Sequence, residues 1–423
     1  MKNKILSAAM ITVATLSAGL TSCSKDKMMT PQPDNSARSI TFENVNQVKK
    51  FSQSGIFKGN GTITTPEGKK VENLILPDGS TKFDFYAGKG QRIAFAMMFG
   101  ASKDWFFASK DAGIALYDDK GQPRTGEITS DISLWDNGTK NDTNGNAENG
   151  VITSLFARTK PQDLMKLMLS YDEKTSKFTL TITNTSKGKK DTMGQSLETP
   201  FSPGVWAVAN VLGGKLLEEK PFFEANKKSS QALTTLSQTG NPEPLSKELA
   251  MNTGIITGLS PAVVVIYNGE QNPIYELGKK DAGIGLKDLS QKGMFDKLQS
   301  ELKKISGVKE VYIAGNAPVA PSAKVTTTFV ANQGDKIAYA LMFGYSNDWF
   351  FGSEGAISAT TPANLTPKTL LLDNGTGIDQ FPGAGNKQAL FGGTSDKEDA
   401  VIRKVGNEFP IPQVSEILKV TLN

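Results

Sequence analysis

The sequence predicts a mainly β protein, built as antiparallel β-sandwiches with short helices inserted. Three observations carry this. Lys82-Phe83-Asp84-Phe85-Tyr86 and Val325 to Val330 are rich in the aromatic and β-branched residues that fit a pleated, half-buried surface. Ile93 to Phe99 and Ile337 to Phe343 are continuous apolar runs, as expected of central strands covered on both faces. Asp-Gly or Asn-Gly pairs at 78–79, 137–138 and 374–375 are turn signals. Helical periodicity is weaker. Leu286 to Ile305 carries apolar residues at 286, 289, 294, 295, 298, 302 and 305, a stripe interrupted at Gly293. Many short strands with few helices are most simply buried as sheet on sheet.

The chain also repeats itself. Ile93 to Ser109 (IAFAMMFGASKDWFFAS) and Ile337 to Ser353 (IAYALMFGYSNDWFFGS) agree at 12 of 17 positions. Downstream, Leu134 to Thr139 (LWDNGT) matches Leu371 to Thr376 (LLDNGT), with Asp142 and Asp379 at the same offset. We call this unit the back half. A second unit, the front half, pairs Phe201 to Trp206 (FSPGVW) with Leu259 to Val264 (LSPAVV), and Leu236 to Leu249 with Leu289 to Leu302. The order along the chain is back, front, front, back. The strand-like segment SITFENV (Ser39 to Val45) precedes the first back half, and KFTLTITN (Lys177 to Asn184) precedes the first front half. One division follows if SITFENV opens a domain: a first domain at 39–174 with a truncated front half, and a second at 175–423 with a duplicated one. The alternative boundary lies near Gly258 and makes the first domain a circular permutant, which chains tolerate where termini are close.

The N-terminus reads as an address. Lys2 and Lys4 precede an uncharged, small-residue-rich run of 16 residues, Ile5 to Leu20. That is shorter than the roughly 20 residues a spanning helix needs, so it is expected to be a signal peptide over 1–22. Leu20-Thr21-Ser22-Cys23 resembles a bacterial lipobox, in which the cysteine thiolate accepts a diacylglyceryl group. Cys23 is therefore the expected lipidation site, and 23–38 the lipidated residue and its polar, Pro-containing tether. The surrounding Ser-Cys-Ser-Lys-Asp looks like lipoproteins of the Bacteroidetes. This predicts a lipid-anchored protein of the bacterial cell envelope, on the outer membrane and either periplasmic or surface-exposed.

Composition narrows the chemistry. Net charge is +4, and loss of Lys2 and Lys4 leaves +2, too balanced to suggest nucleic acid as a partner. With no histidine, Ser-His-Asp and Cys-His catalysis are excluded, as are His-ligated metals. Cys23 is the only cysteine, so there is no intrachain disulfide and no thiolate metal site. A bound metal would be hard and oxygen-ligated, with calcium the first candidate.

The segment Ser346-Asn347-Asp348-Trp349-Phe350-Phe351-Gly352, followed by Leu372-Asp373-Asn374-Gly375-Thr376, resembles the spondin N-terminal domain family. Phe201 to Trp206 and Gly240-Asn241-Pro242-Glu243-Pro244-Leu245 are similar to that family's early strand and helical segments, so the likeness spans about 175–423. Residues 39–173 resemble only the later part of such a domain. The resemblance implies C2-like antiparallel sandwiches, a role in adhesion and recognition, and calcium binding. The chain departs from the pattern at Lys103, where Asn is usual, and at Asn137 and Asn374, where Ala is frequent.

Candidate calcium ligands are Asp104, Asp136 and Asp142 in the first copy and Asp348, Asp373 and Asp379 in the second. Loop carboxylates converging at one end of a sandwich suit a hard cation, and Gly138 and Gly375 permit the tight turn. The competing reading is that these aspartates cap turns. Asp142-x-Asn144-x-Asn146 has EF-hand spacing but places Ala147 and Thr153 where Gly and Glu are required, and is rejected. Trp105 and Trp349 are expected in the core rather than as sugar platforms. Lys187 to Lys190 is expected to be a solvated turn. The functional expectation is a non-enzymatic adhesion or recognition module, calcium-dependent, that binds a matrix protein or glycan. A glycan-binding accessory lipoprotein of an outer-membrane uptake system is the alternative. A carboxylate-pair hydrolase is a third reading, disfavoured because the same constellation occurs twice.

Overall fold

The computed structural model describes residues 37–110, 112–141, 150–155 and 159–423. The expected signal peptide, Cys23, most of the tether and Asp142 lie outside the described residues. The described chain is mainly β, in antiparallel sheets with short helices. None of its helices is long and apolar enough to cross a membrane.

In the first sandwich a large sheet runs in the order Thr153–Ser154, Ile132–Asp136, Trp105–Ser109, Arg92–Phe99, Phe201–Ala209, Phe51–Phe57. A four-stranded sheet faces it, in the order Ser80–Tyr86, Lys177–Asn184, Met165–Asp172, Gly126–Glu127. Phe95, Phe99, Phe107 and Trp206 from one sheet meet Phe85, Leu167, Phe178 and Leu180 from the other. Residues of Lys177–Asn184 alternate between buried and half-buried, as a sheet with one solvated face requires. Ile93–Phe99 is apolar throughout because the other face of this strand is also covered. Helices Gln231–Thr239 and Glu243–Met251 press Leu233, Leu236, Leu245 and Leu249 onto Ala94, Ala96 and Ala207.

The second sandwich repeats this plan. Its large sheet orders Val308–Ala314, Ala262–Tyr267, Lys336–Met342, Trp349–Ser353, Thr369–Asp373, Arg403–Lys404. Its small sheet orders Lys324–Val330, Ala37–Asn44, Leu418–Leu422, Ala363–Asn364. The interrupted stripe over 286–305 forms two helices, Leu286–Lys292 and Asp296–Leu302, broken by Gly293 at φ 70°.

The pairings divide the chain differently from a boundary at 174–175. Ala37–Asn44, which contains most of SITFENV, was expected to open the first domain. It lies instead inside the second sandwich, with Ile40 opposite Thr327 on one side and Leu422 on the other. Lys177–Asn184 pairs with Ser80–Tyr86 and Met165–Asp172, and Phe201–Ala209 with Arg92–Phe99, so a cut at 174–175 would sever two sheets. The grouping follows the alternative near Gly258, with the N-terminal strand added to the later unit. Read strand by strand, the first sandwich is a circular permutant of the second. Lys177–Asn184 occupies the place of Ala37–Asn44, and Phe51–Phe57 that of Val308–Ala314. The ends of the permuted unit touch: Phe51 N donates to Asn252 O at 3.0 Å, and Gly254 N to Phe51 O at 2.9 Å. An alternating strand sequence specifies which face is buried but not which neighbours it pairs with.

Candidate functional site

In both copies the strand register delivers two aspartates to one end of the large sheet. Trp105 pairs with Asp136, and Trp349 with Asp373, so the residue before each tryptophan lies beside the aspartate that ends the neighbouring strand. The DNGT turn then folds back over it. Asp348 Oδ2 accepts from Thr376 N at 2.6 Å, Thr376 Oγ1 at 2.8 Å and Gly377 N at 2.9 Å. Asp104 Oδ2 accepts from Thr139 N, Thr139 Oγ1 and Lys140 N at 2.7, 2.8 and 2.7 Å. Asp136 Oδ1 and Asp373 Oδ1 each accept from the glycine N–H two residues on, at 2.7 Å. Gly138 and Gly375 have φ of 70° and 68°, the left-handed region this turn needs. Turn capping is therefore real, but it uses one oxygen of each aspartate.

The other oxygens carry the chemistry. Asp104 and Asp348 are fully buried, and Oδ1 of each has no hydrogen-bond partner. A buried carboxylate oxygen left unpaired is costly and calls for a reason. In the second copy Asp379 joins the pair: ligand atoms of Asp348, Asp373 and Asp379 all lie within 4.8 Å of one another. Three oxygens so spaced surround a point at close to the calcium–oxygen distance of about 2.3–2.6 Å. Trp349 Nε1 donates to Asp379 Oδ1 at 2.6 Å and holds it toward the cluster. Burial and the adjacent Asp373 push the Asp348 carboxyl up to about 7. Burial and the charges of Asp373 and Asp348 push Asp379 up to about 8. Asp373 is also raised by burial, opposed by the Gly375 N–H and Arg403. Arg403 Nη2 stands 2.5 Å from Asp373 Oδ2 and 3.1 Å from Glu398 Oε1, a partial counter-charge at the edge of the cluster.

All three second-copy candidates are thus brought together, as are Asp104 and Asp136 at the matching place in the first copy. Asp142 falls outside the described residues. Reading by residue type passed over Thr139 and Thr376, whose N–H and hydroxyl hold the first aspartate, although both stood in the repeated turn. Arg403 carried no signal, since it enters from a strand about 30 residues on in sequence. The departures from the family pattern have structural roles. Asn374 Nδ2 donates to Asp281 Oδ2 at 2.7 Å and Ser290 Oγ at 3.2 Å, tying the turn to the helix behind it. Asn137 Nδ2 reaches Thr234 Oγ1 on the corresponding helix at 3.3 Å.

Other expectations divide similarly. The four tryptophans are 1–9% exposed and lie within the sandwiches. Lys187 to Lys190 are exposed, and Lys187 pairs with Asp78 at 2.7 Å. A crevice of about 270 Å³ on the far side of the Gly375–Thr376 turn is lined by four lysines and four carboxylates, a balance that favours no ion of either sign. No family model and no curated protein matches the chain.

Proposed function

We propose that the protein is a lipid-anchored recognition module of the bacterial envelope whose sandwiches each hold a hard cation, calcium first among candidates. The observation that carries the cation is the buried, unpartnered Oδ1 of Asp348 within a cluster of three carboxylates. Three carboxylates at this spacing cannot all ionise without a counter-charge, and Arg403 supplies one for Asp373 alone. A divalent ion would complete the balance. The turn would hold Asp348 by Oδ2 and leave Oδ1 to the metal.

The repeated site supports binding rather than turnover. The second-copy carboxylates are closer together than the roughly 5–5.5 Å or 6.5–9.5 Å separations of glycosidases, and Asp348 and Asp373 are buried, with Asp379 half-buried. The glycan-capture alternative loses its main support, because no tryptophan offers an exposed face. Adhesion and recognition rest on the spondin-like motifs, and the envelope address on the lipobox-like segment at Cys23. Two weak sites on an anchored chain gain from confinement at a surface.

Isothermal titration of metal-stripped protein with calcium should give heat and a raised melting temperature. No heat and no shift at millimolar calcium would end this reading. Arg403→Gln removes the competing positive charge from Asp373 and should tighten calcium binding several-fold, with the gain shrinking as salt is added. Unchanged or weaker affinity in that variant would count against a cation at Asp373.

A further inference from the structure

The loop that supplies Asp379 is also the loop by which the second sandwich grips the first. Phe381 stacks on Tyr86 of the first sandwich, with ring centroids 5.0 Å apart and planes 7° from parallel. Gln380 Nε2 donates to Ser176 Oγ in the turn that joins two strands of the first sandwich. Gly385 N donates to Ala87 O at 2.9 Å. The backbones approach so closely that a Cβ on Gly88 would lie 2.4 Å from Gly383 O, so the contact is specified by glycine.

The same loop is tied inward to the cluster. Asn347 Oδ1 accepts from Gln380 N at 3.1 Å and from Gln388 Nε2 at 3.4 Å, and Asn347 Nδ2 donates to Ser395 Oγ at 3.2 Å. Asn347 directly precedes Asp348. In the first copy Lys103 stands here and sends its ammonium to Asn141 O at 2.9 Å. Asp348 and Asp373 sit at the ends of adjacent paired strands, whereas Asp379 belongs to no strand. Its position depends on what holds the loop, and one side of that loop is held by the other sandwich.

The geometry points to a linkage: docking of the first sandwich against Phe381 and Gly385 positions Asp379, so it sets the cation affinity of the second-copy site, and cation binding in turn tightens the docking. This rests on the cation reading above. Ordering a loop ligand costs conformational entropy, and a contact that has already ordered it raises affinity. The coupling must be reciprocal for binding equilibria.

The test uses the full chain carrying Asp104→Asn, which silences the first copy. Terbium luminescence sensitised by Trp349, whose indole N–H bonds Asp379, reports the second site, and calcium competes it away. Tyr86→Ala, which touches no carboxylate of the cluster, should weaken terbium and calcium binding about 5-fold or more. Tyr86→Phe keeps the stacked ring and should restore parental affinity. Ser176→Ala removes the hydroxyl that Gln380 meets and should weaken binding in the same direction, and it decides the matter if Tyr86→Ala does not fold. Folded variants with affinity within about twofold of the parent would overturn the linkage while leaving the cation site standing. No binding by the parent would overturn the cation reading and the linkage with it.

Discussion

With divalent cations removed, the stability of the protein should fall as pH rises from about 4 to about 8, and calcium should abolish most of that loss. The sign follows from the carboxyl cluster. Asp348 and Asp379 are raised from an ordinary value of 3.8 to about 7 and about 8. Between the ordinary and raised values the native state keeps protons that the unfolded chain has already released. Stability therefore declines through that window and levels off above it. For Asp348 alone, fully buried, a rise from 3.8 to about 7 corresponds to ~4 kcal/mol at most. The three carboxyls titrate together, so the loss spreads over the window rather than falling in steps. Calcium binding would expel the same protons, so calcium affinity should rise over the same range. Denaturant melts at a series of pH values, in chelator and in calcium, measure both curves. Asp348→Asn should make the chelator curve shallower, since the amide oxygen can still accept from Thr376 and Gly377 and the charge at this position is gone, while Asp373 and Asp379 still titrate. It should also remove the calcium-dependent gain. A chelator curve that stays level or rises from pH 4 to 8 would contradict the account.

The second large effect concerns the permuted topology. An excised fragment of residues 259–423 should fail to unfold cooperatively, whereas residues 49–254 should melt as an independent domain. The later fragment lacks Ala37–Asn44, an interior strand of its small sheet. Ile40 and Phe42 are both fully buried, and Phe42 packs edge-on against Tyr339 at 5.3 Å. Losing two such side chains forfeits about 1.5–3 kcal/mol each, before counting the two ladders the strand completes. Against a net stability of roughly 5–15 kcal/mol, that deficit is decisive. Joining residues 37–47 to residue 255 through a short flexible linker should restore cooperative melting. The junction is short because Asn46 Oδ1 already accepts from Thr257 N at 3.0 Å and Asn46 Nδ2 donates to Ile255 O at 3.4 Å. Cooperative melting of 259–423 alone would refute the assignment of the first strand.

The candidate site was legible in outline. Repetition of DWFF and DNGT placed four aspartates at matching positions, and strand register brings each pair together. What residue type could not convey was the division of labour within Asp104 and Asp348, with Oδ2 capped by the turn and Oδ1 left without a hydrogen bond. Arg403 was invisible for a related reason: its role depends on approach from a strand distant in sequence. Asn347 stood in the repeated motif, but its hold on the Gln380 and Ser395 loops depends on contacts the motif does not show. The domain division went astray at SITFENV because its alternation is that of any one-sided strand, and its place at the start of the chain suggested the nearest domain.

By itself the sequence determined the mainly β class, the internal duplication, the turn positions and the set of candidate carboxylates, because these follow from local pattern: period-two burial, glycine at positive φ, repeated motifs. Tertiary structure alone decided that the first strand serves the last sandwich, that the earlier sandwich is permuted, and that the loop carrying Asp379 also touches the first sandwich. Those outcomes depend on long-range pairing and on burial, where the environment of a carboxylate, rather than its identity, sets which of its oxygens caps a turn and which is left without a hydrogen bond.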